Sequence, residues 1–167
     1  MTRMTRLLPR RLVTSRQMVD RAIYGTVSVI AVIAAASHGH APAGQVLIFT
    51  AASSVVLWMV HVYASVLADT GPAGLEWRPA VQRAIRHEHG VLIGVVIPLG
   101  VLSLGTLRLI DDDRAIRWSM WSGVLVLFLT PLVWFRPATT GWGRTLVASL
   151  VGGGLGMALI SLKVVLH

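Results

Sequence analysis

His61 is the residue whose chemistry stands out, because it lies inside an apolar run, Gln45 to Ala68, that carries no Asp, Glu, Lys or Arg. A regular helix through that run places it roughly 7 Å from the centre of the span. Ionisable side chains at such depth face protein or a wet cavity, and they mark ion pathways or polar contacts between helices. With an ordinary pKa near 6.5, an imidazole can relay protons or ligate a cation. It can also sit neutral, hydrogen-bonded to a serine or a carbonyl of a neighbouring helix. The structural role is the expected one, because no acidic residue falls in the same layer of the spans read below. Thr50, Ser54, His61 and Ser65 share one face of this helix, and Asp69 continues the stripe.

Other candidate ligands lie outside the apolar runs. His87-Glu88-His89 precedes the third run. A zinc hydrolase sets two histidines four apart on one helix face, whereas two residues apart they diverge by about 200°. No hydrolase is expected. In extended backbone His87 and His89 could share a face with Glu88 nearby and form a metal site; the alternative is a solvated, charged helix start. His38 and His40 fall in another loop, on the side where Asp111, Asp112, Asp113 and His167 also collect. Oxygen and imidazole donors there could gather a divalent cation, although solvated loop polarity explains them as well. The chain has no cysteine, no phosphate-binding glycine loop, no G-x-S-x-G and no pair of embedded carboxylates. Thiolate chemistry is therefore excluded, no enzyme is expected, and no cofactor is called for beyond that divalent metal. A single deep histidine does not make a haem site.

The elements that position these residues follow from hydropathy. In 167 residues, 54% are hydrophobic and 13% charged, the balance of a polytopic membrane protein. A span needs about 20 apolar residues. Five runs qualify, at about 21–37, 45–68, 90–110, 116–135 and 145–166, preceded by a basic arm over 1–20 with Arg3, Arg6, Arg10, Arg11 and Arg16. Pro9 breaks the arm, and Pro72 with Pro79 brackets any short helix in the loop before the third run. The first run, ending Ala34-Ala35-Ala36, also fits a signal-peptide core, a reading that N-terminal sequencing of the mature protein separates from a span. The all-α expectation is thus a bundle of five transmembrane helices.

Charge sets its orientation. With the N-terminus inside, eleven arginines fall on the inner side, against Arg108, Arg114, Arg117 and Lys163 outside. The N-terminus is therefore expected in the cytoplasm and the C-terminus outside, as a multi-pass protein of the bacterial inner (plasma) membrane. The net charge of +8 belongs to this asymmetry and to anionic lipid, and no nucleic-acid partner is expected.

Helices in lipid associate through small residues and polar contacts. Gly90, Gly94, Pro98, Val101 and Gly105 share one face of the third run, with a kink expected at Pro98. In the fifth, Thr145, Ser149, Gly152, Gly156, Lys163 and His167 do so, and Gly152 with Gly156 makes a G-x-x-x-G pair. Such a pair serves packing within the bundle or a dimer interface. A homodimer or a larger membrane complex is the expected assembly.

The order of features resembles the vacuolar iron transporter family. The similar residues are Ile23-Tyr24-Gly25 in the first run, Tyr63 and Ser65 in the second, Ile97-Pro98 in the third and Arg144 through Gly156 opening the fifth. The resemblance implies a dimeric cation–proton exchanger with a path between the first two spans, lined here by Ser28, Ser54, His61, Tyr63 and Ser65. The chain departs where that family carries acidic residues: Ser28 stands in the first span and Val62 before the tyrosine of the second. The long acidic segment is reduced to a loop with Glu76 and Glu88. The chain is also similar to the small integral membrane proteins of actinobacteria. Transport of a cation or protons past His61 is the first functional expectation, and an accessory subunit packed in a larger membrane complex is the alternative.

Overall fold

The computed structural model describes residues 10–37, 39, 41–70, 77–134 and 142–165. They form five helices: α1 (Arg10–Ala36), α2 (Ala43–Thr70), α3 (Trp77–Thr106), α4 (Asp112–Trp134) and α5 (Trp142–Val165). Each contains a stretch long and apolar enough to cross a bilayer. Among the described residues there is no strand, and the all-α, five-span expectation holds.

Local signals set the helix ends. α1 begins at Arg10. It closes at Ser37, whose amide donates to Ile33. Pro42 opens α2, its carbonyl accepting from the amides of Gln45 and Val46. At the end of α3 the Arg108 amide donates to Gly105 (2.8 Å) and the Leu109 amide to Leu104 (3.0 Å). This is a Schellman closure, and Arg108 takes the left-handed φ of 57° that usually falls to glycine. Asp111 then accepts from the Ala115 amide, and Asp112 and Asp113 place negative charge on the first turn of α4.

Two boundaries depart from the sequence reading. Pro79 stops nothing: it sits in the first turn of α3, where its missing N–H has no helical acceptor to lose. α3 therefore starts at Trp77, thirteen residues before the expected Gly90, and Glu88 belongs to this long helix and not to a loop. α1 likewise extends back into the basic arm as far as Arg10.

The chain runs up and down. α3 is central, packed against α1, α2 and α4, and α5 lies mainly along α4. The core is formed by Val29, Ile30 and Ile33 of α1, Val46 of α2, Val95 and Leu102 of α3, and Met120, Val124 and Leu127 of α4. Outward, α2 presents Ile48, Phe49, Val56, Met59, Val60 and Leu67, an apolar exterior suited to lipid. Exposed Trp77, Trp118 and Trp142 stand near helix ends, as interfacial tryptophans do.

Small residues let backbones touch. A Cβ on Gly25 would lie 2.2 Å from the Val91 carbonyl oxygen, and one on Gly94 would lie 2.1 Å from that of Ala22, so α1 and α3 cross in direct contact. Gly105 admits Ala115 and Ala43 in the same way at the opposite end. Gly152 and Gly156 face Leu127 and Val124 of α4, so the G-x-x-x-G pair is used inside the bundle. At that opposite end Lys163 also donates to the Ser37 hydroxyl (2.5 Å), tying α5 to α1.

Candidate functional site

A polar cluster lies where the N-terminal half of α1, the C-terminal half of α2 and the N-terminal half of α3 meet. The register of α3 explains how a carboxylate reaches it. Stepping back from Leu102 by threes and fours through Pro98, Val95, Val91, Glu88, Ala84 and Ala80 follows one continuously buried face. Glu88 is on that face and is 1% exposed. It is not the solvated helix start that its neighbours in sequence implied.

A charge so placed needs partners. The Arg21 guanidinium of α1 donates to Oε1 of Glu88 at 2.8 Å, and the Ser65 hydroxyl of α2 donates to the same oxygen at 2.5 Å. One carboxylate oxygen thereby joins three helices. The other, Oε2, is buried and has no hydrogen-bond partner among the described residues. The pair is asymmetric in exposure, since the Arg21 side chain remains 24% accessible while that of Glu88 is 2%. Arg21 is the more accessible side of the cluster.

His61 sits one turn from Ser65 on α2. Its Nδ1 lies 2.9 Å from the Leu57 carbonyl oxygen. A carbonyl only accepts, so Nδ1 carries the proton, and in the neutral ring Nε2 is left as a base. The Tyr24 ring of α1 lies against the imidazole, centroids 5.0 Å apart and planes tilted by 53°. Tyr24 is in turn one helical turn from Arg21. Two layers are therefore stacked at this end of the bundle: Arg21, Glu88 and Ser65 in one, Tyr24 and His61 in the next.

The other expected residues distribute differently. Ser28 is half-buried one turn beyond Tyr24 on α1. Ser54 is buried further along the His61 face, its hydroxyl donating to the Thr50 carbonyl at 2.7 Å. Tyr63 is 64% exposed, on the outer surface of α2, and does not join the cluster. Gly90, Gly94 and Pro98 are buried on the inner face of α3 as packing positions. The side chains of His38, His40, His87 and His89 lie outside the described residues. Among the described residues no group of three His, Asp or Glu side chains gathers as a metal site. An apolar groove of about 430 Å³ between α4 and α5, lined by Trp121, Leu125, Phe128 and Met157 among others, brings no polar chemistry.

Sequence reasoning named Tyr24 only among the residues of the resemblance, and did not single out Arg21 or the depth of Glu88. The buried face that carries Glu88 runs through Val91, Val95, Pro98 and Leu102, whereas the small-residue stripe, stepped back from Gly90, reaches Arg86 and His87. Comparison with protein-family models, with curated proteins and with solved structures finds no match to this chain.

Proposed function

We propose that the protein is a small transporter-type membrane protein that moves protons or a small cation past His61, with the Arg21–Glu88–Ser65 cluster at one mouth of the path. Buried Glu88 carries this reading. A carboxylate withdrawn from water within a membrane helix, one turn of α2 away from an imidazole with a basic nitrogen, supplies the acidic partner that a relay through His61 requires. Simple helix packing would be served as well by an apolar side chain at that position. The excess of arginine at this end of the helices supports a reading in which the mouth opens on the cytoplasmic side of a bacterial plasma membrane.

The test is flux. Purified protein in liposomes containing a pH-sensitive dye is challenged with a potassium diffusion potential. The expected result is a protein-dependent proton or cation current, reduced several-fold in His61→Ala with the helix content intact. Undiminished flux in His61→Ala would remove His61 from the path. Absence of any flux, together with co-purification of unrelated membrane subunits, would identify an accessory subunit instead.

A further inference from the structure

We propose that the outward face of α3 is a binding site for an anionic phospholipid, whose headgroup lies against Arg78, Gln82 and Arg86 and whose acyl chain runs along Ile93, Val96 and Gly100. This face is not the one that carries Glu88, and its occupancy does not depend on transport.

Length puts the charged part of α3 at the membrane surface. Its 30 residues extend about 45 Å at 1.5 Å each, about 15 Å more than a hydrocarbon core of about 30 Å. The C-terminal end of α3 is level with the starts of α2 and α4, since Thr106 lies against Gly44 and Gly105 against Ala115. The surplus therefore falls at the N-terminal end, over about ten residues from Trp77 to Arg86. That segment holds Arg78, Arg83 and Arg86, all exposed, and no acidic residue. The Arg78 guanidinium lies over the exposed Trp77 ring, 5.9 Å from its centroid, a cation and an aromatic ring paired as suits a headgroup layer.

Helical phase joins this charge to an apolar surface. At 3.6 residues per turn, Arg78, Gln82, Arg86, Ile93, Val96 and Gly100 fall within about 80° of one another. All six are exposed, whereas Ala80, Ala84, Pro98 and Leu102 on the other side of the helix are buried. A Cβ on Gly100 would meet nothing within 4 Å, so the apolar part of the stripe is open. Guanidinium groups at the surface, continued by open apolar surface at hydrocarbon depth, match a phospholipid in charge and in polarity. The charge selects an anionic head, because a zwitterionic one brings a cation of its own towards three arginines. Each guanidinium has five N–H donors, so it can hold a bond within the protein, as Arg83 does to the Pro79 carbonyl (3.2 Å), and still contact a phosphate. Among the described residues the exposed carboxylate at this end is Asp20 of α1, and no ion pair joins it to α3. The helices beside α3 lack the combination: α2 is apolar on its outside but contains no Lys or Arg, and neither does α4 beyond Arg117.

The experiment is native mass spectrometry of the full-length protein in detergent, titrated with phosphatidylglycerol or with phosphatidylcholine of the same chains. One phosphatidylglycerol is expected to bind saturably and about 10-fold or more tighter than phosphatidylcholine. At about 1 kcal/mol for each arginine near an anionic head, Arg78→Gln should weaken it about 5-fold and Arg78→Gln/Arg83→Gln/Arg86→Gln about 100-fold. Arg114→Gln/Arg117→Gln, at the opposite end of the bundle, should leave it unchanged, and the chain-free headgroup glycerophosphoglycerol should not compete. If the triple variant does not fold, Arg78→Gln alone decides. Equal binding of the two lipids, undiminished preference in the arginine variants, or full competition by glycerophosphoglycerol would each overturn the proposal. A protein that stays dimeric and takes up phosphatidylglycerol only once dissociated would give this face to a second copy of the chain and overturn it as well.

Discussion

The hydroxyl of Thr26 lies 3.0 Å from the carbonyl oxygen of Gly94 on the neighbouring helix. That carbonyl is the one that Pro98, lacking an N–H, cannot serve within α3. The same hydroxyl is 2.8 Å from the Ala22 carbonyl of its own helix, so its single proton is shared between the two. Thr26 is fully buried. α1 thus completes the hydrogen bonding of α3 at the point where a proline interrupts it, immediately beyond the polar cluster.

Removing that donor should be costly. Thr26→Val keeps the shape and loses the hydroxyl, and is expected to lower stability in detergent by about 1–3 kcal/mol. In a Pro98→Ala background residue 98 regains its N–H, and the cost of Thr26→Val should shrink. Unfolding of the four proteins of this cycle, followed by helical circular dichroism in a graded denaturing detergent, measures the coupling. Strictly additive losses would show that the Gly94 carbonyl does not depend on Thr26.

The α1–α3 crossing should reject a single methyl group. Gly94→Ala and Gly25→Ala each drive a Cβ onto a backbone oxygen, at 2.1 and 2.2 Å, which no rotamer change relieves. A loss of about 1–3 kcal/mol or more is expected for each. Gly100→Ala and Gly154→Ala, where a Cβ meets nothing within 4 Å, should be neutral or slightly stabilising. Thermal denaturation of the four single variants ranks them.

Arg108 offers a gain. It holds a left-handed φ of 57° at the C′ position of the α3 Schellman closure, where a side chain costs roughly 1 kcal/mol relative to glycine. Arg108→Gly should raise the unfolding midpoint, and Arg108→Val should lower it. Equal midpoints for both would mean that the turn does not limit stability.

Ser65 should matter more than an ordinary intramembrane serine, because its acceptor is charged. Ser65→Ala leaves Oε1 of Glu88 to Arg21 alone and should cost about 1.5–3 kcal/mol. Ser53→Ala, on the same helix and half-buried, serves as the comparison. The difference between the two, read from the same detergent unfolding assay, isolates the carboxylate bond from the loss of a hydroxyl as such.

The five spans were legible in the chain because hydropathy and length act locally: a run such as Gln45 to Ala68 is a membrane helix whatever surrounds it. The glycine face of α3 and the G-x-x-x-G pair of α5 were legible for a related reason, since close helix approach needs small residues at helical spacing. The polar cluster was not. Glu88 lies between two histidines, two residues after an arginine, and reads as solvated on any local scale. Its burial depends on Arg21, sixty-seven positions away, and on Ser65, twenty-three positions away. The direct crossing of α1 and α3 at Gly25 and Gly94 brings that arginine within reach. Local sequence determined which segments are long and apolar enough to cross a membrane; the tertiary structure decided which charged residue is buried among them, because a buried carboxylate is tolerated only where other helices deliver its partners.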